Sequence, residues 1–135
     1  MRRKERRQYD WTFRGYETPA RNRPVSDWLK ELSADGLDEL IDIVLYMRVR
    51  PPNEWDPENF KPLEDGISEI RFRDGDFVCR IYGYFGPTWL LQSYTFLVGA
   101  EKKVKNDRDS KKLAKTRRDQ VERRETSVYP FGFEE

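Results

Sequence analysis

Segregated helix and strand signals place the chain in the α+β class: a helical hairpin, then three consecutive strands between Lys61 and Leu97, then a C-terminal helix. Three observations predict this. Val25, Trp28, Leu29 and Leu32, and after them Leu37, Leu40, Ile41, Val44 and Leu45, recur at helical spacing. Ile67–Arg73 and Asp76–Phe85 alternate with period two around Asp74-Gly75, a dipeptide suited to the positive φ angles of a two-residue hairpin loop. Pro51-Pro52 separates the two regions by removing amide donors and excluding helical geometry before them.

In chain order, residues 1–8 carry Arg2, Arg3, Lys4, Arg6 and Arg7 without apolar periodicity and read as a disordered basic arm, for phosphate contact or for solubility. Tyr9 to Arg14 reads as a first strand with Trp11 and Phe13 on one side, and Gly15 to Pro24 as a loop. A short helix covers Val25 to Leu32, Ala34-Asp35-Gly36 interrupts it, and a second helix runs from Leu37 toward the prolines. Asp35, Asp38, Glu39 and Asp42 give the pair an acidic outer face, read as solvated. Asn53 to Asn59 is a polar loop, and Phe60 to Leu63 leads into the strands.

Placing Asp74-Gly75 in the loop makes Arg73 face Asp76, Arg71 face Val78, Glu69 face Arg80 and Ile67 face Tyr82. One face then carries Glu69, Arg71, Arg73, Val78, Arg80 and Tyr82, and the other Ile70, Phe72, Phe77, Cys79 and Ile81. A slip of one residue would bury three arginines, so the first face is expected to be cationic and at least partly wet. The third strand, Thr88 to Leu97, keeps two registers open: a two-residue loop puts Ser93 beside Arg80, whereas a three-residue loop puts Gln92 there and brings Tyr94 onto the cationic face. A last helix, about Asp109 to Glu122, has only Leu113, Ala114 and Val121 to pack inward and so reads as weakly anchored. The aromatics of Tyr129 to Glu135 either dock on the domain or stay free.

A chain of 135 residues suits one domain plus tails, here an arm at 1–8, a domain at 9–124 and a tail at 125–135. The net charge of +1 conceals segregation: eight Lys/Arg against three Asp/Glu in 1–24, four against twelve in 25–69, and eleven against eight in 101–135. Basic ends around an acidic middle can orient a protein on a polyanion. Cys79 is the one cysteine, so no intramolecular disulfide forms and a reducing compartment suits the chain. No apolar run approaches the roughly 18 residues of a membrane span, and no signal-peptide core follows the basic start, which together point to the cytoplasm. With no histidine, no CxxC, no GxSxG and no phosphate-cradling glycine loop, zinc, Ser-His, Cys-His and P-loop chemistry lack their usual residues.

Lys61-Pro62-Leu63-Glu64-Asp65-Gly66, Ile67-Ser68-Glu69-Ile70-Arg71, Cys79-Arg80-Ile81-Tyr82, Tyr94-Thr95-Phe96, Lys102-Lys103, and Ala114 with Arg117-Arg118 follow one another in an order that resembles the RelE/ParE toxin superfamily, in particular its HigB-like, phage-derived branch. Roughly residues 9–124 are covered, with Pro24 to Leu32 resembling the family's first helix. The resemblance implies two N-terminal helices packed on a small, twisted, mainly antiparallel sheet, with a C-terminal helix. It also implies ribosome-dependent mRNA cleavage in a type II toxin–antitoxin system, with messenger RNA on the ribosome and a helix-turn-helix antitoxin as partners and no metal, cofactor or membrane. In such a reaction the RNA 2′-hydroxyl attacks its own phosphate, which requires orientation, charge stabilisation and proton transfer. Arg71, Arg80, Glu69 and Tyr94 are the implied catalytic set, Tyr94 standing where the branch often carries a histidine. Lys61, Arg73, Lys102, Lys103 and Lys105 are the implied RNA-binding set, although Val98-Gly99-Ala100-Glu101 intervenes before the lysines. Glu69, if paired with Arg80, is expected to orient that arginine in preference to acting as a base. A ParE-like gyrase inhibitor and a non-catalytic RNA-binding phage accessory protein are the alternatives.

Overall fold

A computed structural model describes residues 8–101 and 107–133, so residues 1–7 of the arm expected at 1–8, and Lys102, Lys103 and Lys105, lie outside the described residues. The elements run β1 (Thr12–Glu17), α1 (Pro24–Leu29), α2 (Ala34–Arg48), β2 (Phe60–Pro62), β3 (Ser68–Asp74), β4 (Phe77–Phe85), β5 (Ser93–Glu101), α3 (Arg108–Glu122) and β6 (Ser127–Pro130). The fold is α+β, built on one mixed six-stranded sheet in the order β2-β3-β4-β5-β1-β6. It is larger than the small sheet expected but, as expected, mainly antiparallel: of the described pairings only β1 with β5 is parallel, and the helix pair follows β1 rather than opening the fold.

Each face of the sheet has its own core. Leu40, Val44 and Met47 of α2 and Val25 and Leu29 of α1 pack on Phe13, Ile70, Phe72, Cys79, Ile81, Tyr94 and Phe96. On the opposite face, Ala114 and Val121 of α3 pack with Tyr16, Ile67, Tyr82, Tyr84, Leu97 and Val98. A bulge in β5 makes the second core possible. Tyr82 pairs with Val98 but Gly83 pairs with Phe96, so the extra residue turns both Leu97 and Val98 toward α3.

Several boundaries differ from expectation for identifiable reasons. Ala34-Asp35-Gly36 does not break the helices; it is the first turn of α2, because the Ser33 hydroxyl accepts from the Gly36 amide at 3.1 Å as an N-cap. The Asp74 carboxylate accepts from the Ser33 amide at 3.1 Å and from its hydroxyl, placing an anion at the helix N-terminus. That demand on Asp74 accompanies a shifted hairpin: Asp74 pairs with Phe77, and the loop is Gly75-Asp76 with Gly75 at φ 62. The pairs are therefore Arg73↔Val78, Arg71↔Arg80 and Glu69↔Tyr82 rather than those expected. The shift is even, so the two faces are those read from the sequence, except that Phe77 at the turn is exposed.

The third strand begins at Ser93, not Thr88, and neither expected register holds: Arg80 pairs with Ala100, and Phe85 with Tyr94. Residues 86–92 form a loop instead, closed by Gly86 N–H donating to Ser93 O at 2.9 Å and Thr95 Oγ1 donating to Gly86 O at 2.8 Å. Gly15 to Glu17 belongs to β1 rather than to a loop, because β6 pairs with it through Gly15↔Tyr129 and Tyr16↔Val128. The tail aromatics thus dock, Phe131 lying 5.3 Å from the Phe96 ring centroid.

Candidate functional site

Cross-strand partners point to the same face, so Lys61↔Glu69, Glu69↔Tyr82, Arg71↔Arg80 and Arg73↔Val78 gather Lys61, Glu69, Arg71, Arg73, Arg80 and Tyr82 on the α3 side of β2, β3 and β4. Two arginines directly opposite one another repel. Glu69, two residues before Arg71 and on the same face, offsets this. Arg71 Nη2 donates to Glu69 Oε1 at 3.2 Å, and Arg80 Nε lies 3.2 Å from Oε2. The second contact is an ion pair without hydrogen-bond alignment, so among the described residues Glu69 Oε2, Arg80 Nε and Arg71 Nε are buried without a hydrogen-bond partner.

The face is less wet than expected. Glu69 is 3% and Arg80 8% exposed, because α3 covers the neighbouring strands, whereas the Arg71 side chain is 41% exposed. Lys61 and Arg73 are exposed. Among the described residues of this strand face one carboxylate meets four cations and leaves a positive excess, with Arg71 and Arg73 as its accessible guanidiniums. Arg71 and Arg80 come together as expected, although Glu69 reaches Arg80 diagonally rather than as its direct partner.

Tyr94 does not join them. It sits on the opposite face, fully buried between Phe13, Phe85 and Phe96, with its hydroxyl 2.8 Å from that of Ser68. Burial, above all, raises its pKa. Gly83 makes the room: a Cβ there would fall 2.5 Å from Tyr94 Cε1. A ring closed off in this way holds the core together and cannot reach a substrate bound at Arg71.

Tyr82 is the neighbour that sequence reasoning placed on this face but gave no role. Its hydroxyl donates toward Asp107 Oδ2 at 3.4 Å, and burial raises its pKa. Asp107 also caps α3, accepting from the Ser110 amide at 3.2 Å, so the start of that helix is tied to the site. The sequence signal was an Asp immediately before the helical run, with Ser three positions on.

The cations of α3 serve the fold. Lys115 Nζ lies 2.7 Å from Asp65 Oδ2, which holds the Asp65 carboxyl below its usual range and raises the Lys115 pKa. Arg117 Nη1 donates to Leu97 O at 2.7 Å, and Arg118 to the Asp65 carbonyl. A helix with few apolar residues is thus anchored by its charged ones.

Comparison with protein-family models, with curated proteins and with solved structures found no match. Among the described residues no helix is long and apolar enough to cross a membrane.

Proposed function

We propose that this chain is the toxin of a type II toxin–antitoxin pair, an RNA endonuclease of the RelE/ParE kind acting on messenger RNA at the ribosome. The observation that carries the reading is the Arg71–Arg80 pair, two guanidiniums at directly opposed positions that share one buried carboxylate and leave Arg71 open to solvent. Guanidinium forks match phosphate oxygens, and Glu69 fixes both side chains before RNA arrives, so little reorganisation accompanies the growth of charge on phosphorus. As the 2′-oxygen bonds to phosphorus the bond to the 5′-oxygen breaks, giving a cyclic phosphate and a free 5′-hydroxyl. Lys61 and Arg73 on the same face suit neighbouring phosphates, with Lys102, Lys103 and Lys105 extending the set. A helix-turn-helix antitoxin and a cytoplasmic setting belong to the same proposal.

One observation favours a second reading, RNA binding without cleavage. Glu69 is held by two guanidiniums and Tyr94 lies behind the sheet, so neither is placed to carry a proton to or from the RNA. Induced expression separates these readings. Translation that fails before DNA synthesis, with cuts in ribosome-bound messages, supports the endonuclease; RNA binding without cuts supports the second reading. Early DNA damage with intact translation would point to gyrase and defeat both.

A further inference from the structure

Residues 86–92 project from the end of β4 and are held from beneath. Glu122 Oε2 accepts from the Tyr84 hydroxyl at 2.8 Å and from the Thr88 amide at 3.1 Å, directing that acid into the base of the loop. Trp89 is 41% and Leu91 92% exposed on this support. The Arg124 guanidinium lies 4.1 Å from the Trp89 ring centroid, and among the described residues no aromatic ring stacks on Trp89. Arg14, whose Nε donates to Ser93 Oγ at 3.0 Å, adds a cation at the foot of the loop, and Arg123 is exposed beside Arg124. A rigidly mounted indole, covered on one side by an arginine and flanked by further cations, is the combination that holds unpaired bases: the ring stacks and the cations take the phosphates.

We infer that Trp89, backed by Arg124, is a stacking platform for an unpaired base of single-stranded RNA, a second contact point beyond the β3–β4 arginines; this rests on the RNA reading of that site. Phe85 at the root of the loop lies five residue steps along β4 from Arg80, about 17 Å at roughly 3.3 Å per residue, a span for one continuous strand to follow.

The probe is a short labelled single-stranded oligoribonucleotide, with the same sequence as a duplex for control. Trp89→Ala should weaken single-strand affinity about 10-fold, leave the duplex unaffected and keep the melting temperature, with Trp89→Phe restoring most of the loss. Arg124→Ala should lower the salt slope by about one. Unchanged single-strand affinity in Trp89→Ala, or an equal loss on duplex, overturns the platform. So does a Leu91→Asp protein that loses a defined oligomer while keeping its RNA affinity, since that places the loop in a protein interface. The readouts separate from the nuclease: normal binding by Trp89→Ala with cleavage still abolished by Arg71→Ala removes the platform alone. Lost binding in Trp89→Ala with a wild-type chain that never cuts removes the nuclease alone.

Discussion

Arg80→Ala is the most revealing perturbation of the candidate site, because burial changes what it measures. With Arg80 8% and Glu69 3% exposed, the pair is interior, and removing one partner of a buried pair costs about 3–5 kcal/mol by stranding the other charge. Arg71 stays 3.2 Å from the second carboxylate oxygen, which places the expected loss at the low end, about 3 kcal/mol. That equals a core truncation such as Ile81→Ala, for which about 2–5 kcal/mol is ordinary. Adding Glu69→Gln should return about 1–2 kcal/mol by removing the stranded charge, a coupling that independent sites would not show. Exposed Arg73→Ala should stay within about 0.5 kcal/mol of wild type. Urea denaturation of the wild type, these four variants and Glu69→Gln alone, with m-values compared, measures all of this. An Arg80→Ala protein that loses less than about 1 kcal/mol, or a double variant no more stable than Arg80→Ala, would refute the claim that Glu69 depends on Arg80 in the interior.

Arg71→Ala is the cleaner functional test, since its side chain is 41% exposed and Glu69 keeps Arg80: single-turnover cleavage on ribosomes should fall roughly two to three orders of magnitude, about 2–4 kcal/mol, with the melting temperature nearly kept. Tyr94→Phe should cost about 1 kcal/mol through the lost Ser68 bond and leave cleavage intact; a cleavage defect at full stability would return Tyr94 to the chemistry. Alkaline stability should depend on Cys79, whose thiol is pushed from 9.0 up to about 11 by burial first and by the Asp74 and Glu101 charges after it. The folded state holds that proton more tightly than the unfolded chain, so the contribution is complete below about pH 9 and is lost as pH rises through about 11. Cys79→Ala should therefore move the onset of the alkaline decline upward, toward pH 10.0 where the buried tyrosines 82, 84 and 94 begin to contribute; an unmoved onset in denaturation curves would assign the decline to the tyrosines alone.

The cationic face was legible in the sequence because strand alternation is a local signal. The Asp74-Gly75 loop and the observed Gly75-Asp76 loop differ by an even shift, so Arg71, Arg73 and Arg80 kept their side despite the wrong partners. The register itself was not legible, because Asp74 is claimed by Ser33, the N-cap of α2 and 41 positions earlier in the chain. The Ser33 cap was hidden for a related reason: without a Glu or Gln three residues on, Ser33 followed by Gly36 looks like a break. The face of Tyr94 stayed open between two registers, neither of which holds, because the excursion at 86–92 is stabilised by Glu122, more than thirty residues away. The burial of Glu69 escaped notice for the same kind of reason. Apolar periodicity alone undervalued α3, whose seat depends on Lys115, Arg117 and Arg118.

The position of β1 between β5 and β6 sets an order of assembly. Thr12 finds its partner at Ser93 and Tyr16 at Val128, so the first strand of the sheet acquires its strand partners from the two strands latest in the chain. Until they emerge, Phe13 has α1 and α2 to lean on, whereas Tyr16, on the α3 side, has neither helix nor backbone neighbour. Folding of the whole sheet therefore waits on long-range closures, which are entropically slow to form. A nascent chain arrested before residue 127 would carry β1 with its outer edge bare, an open template for pairing with another chain.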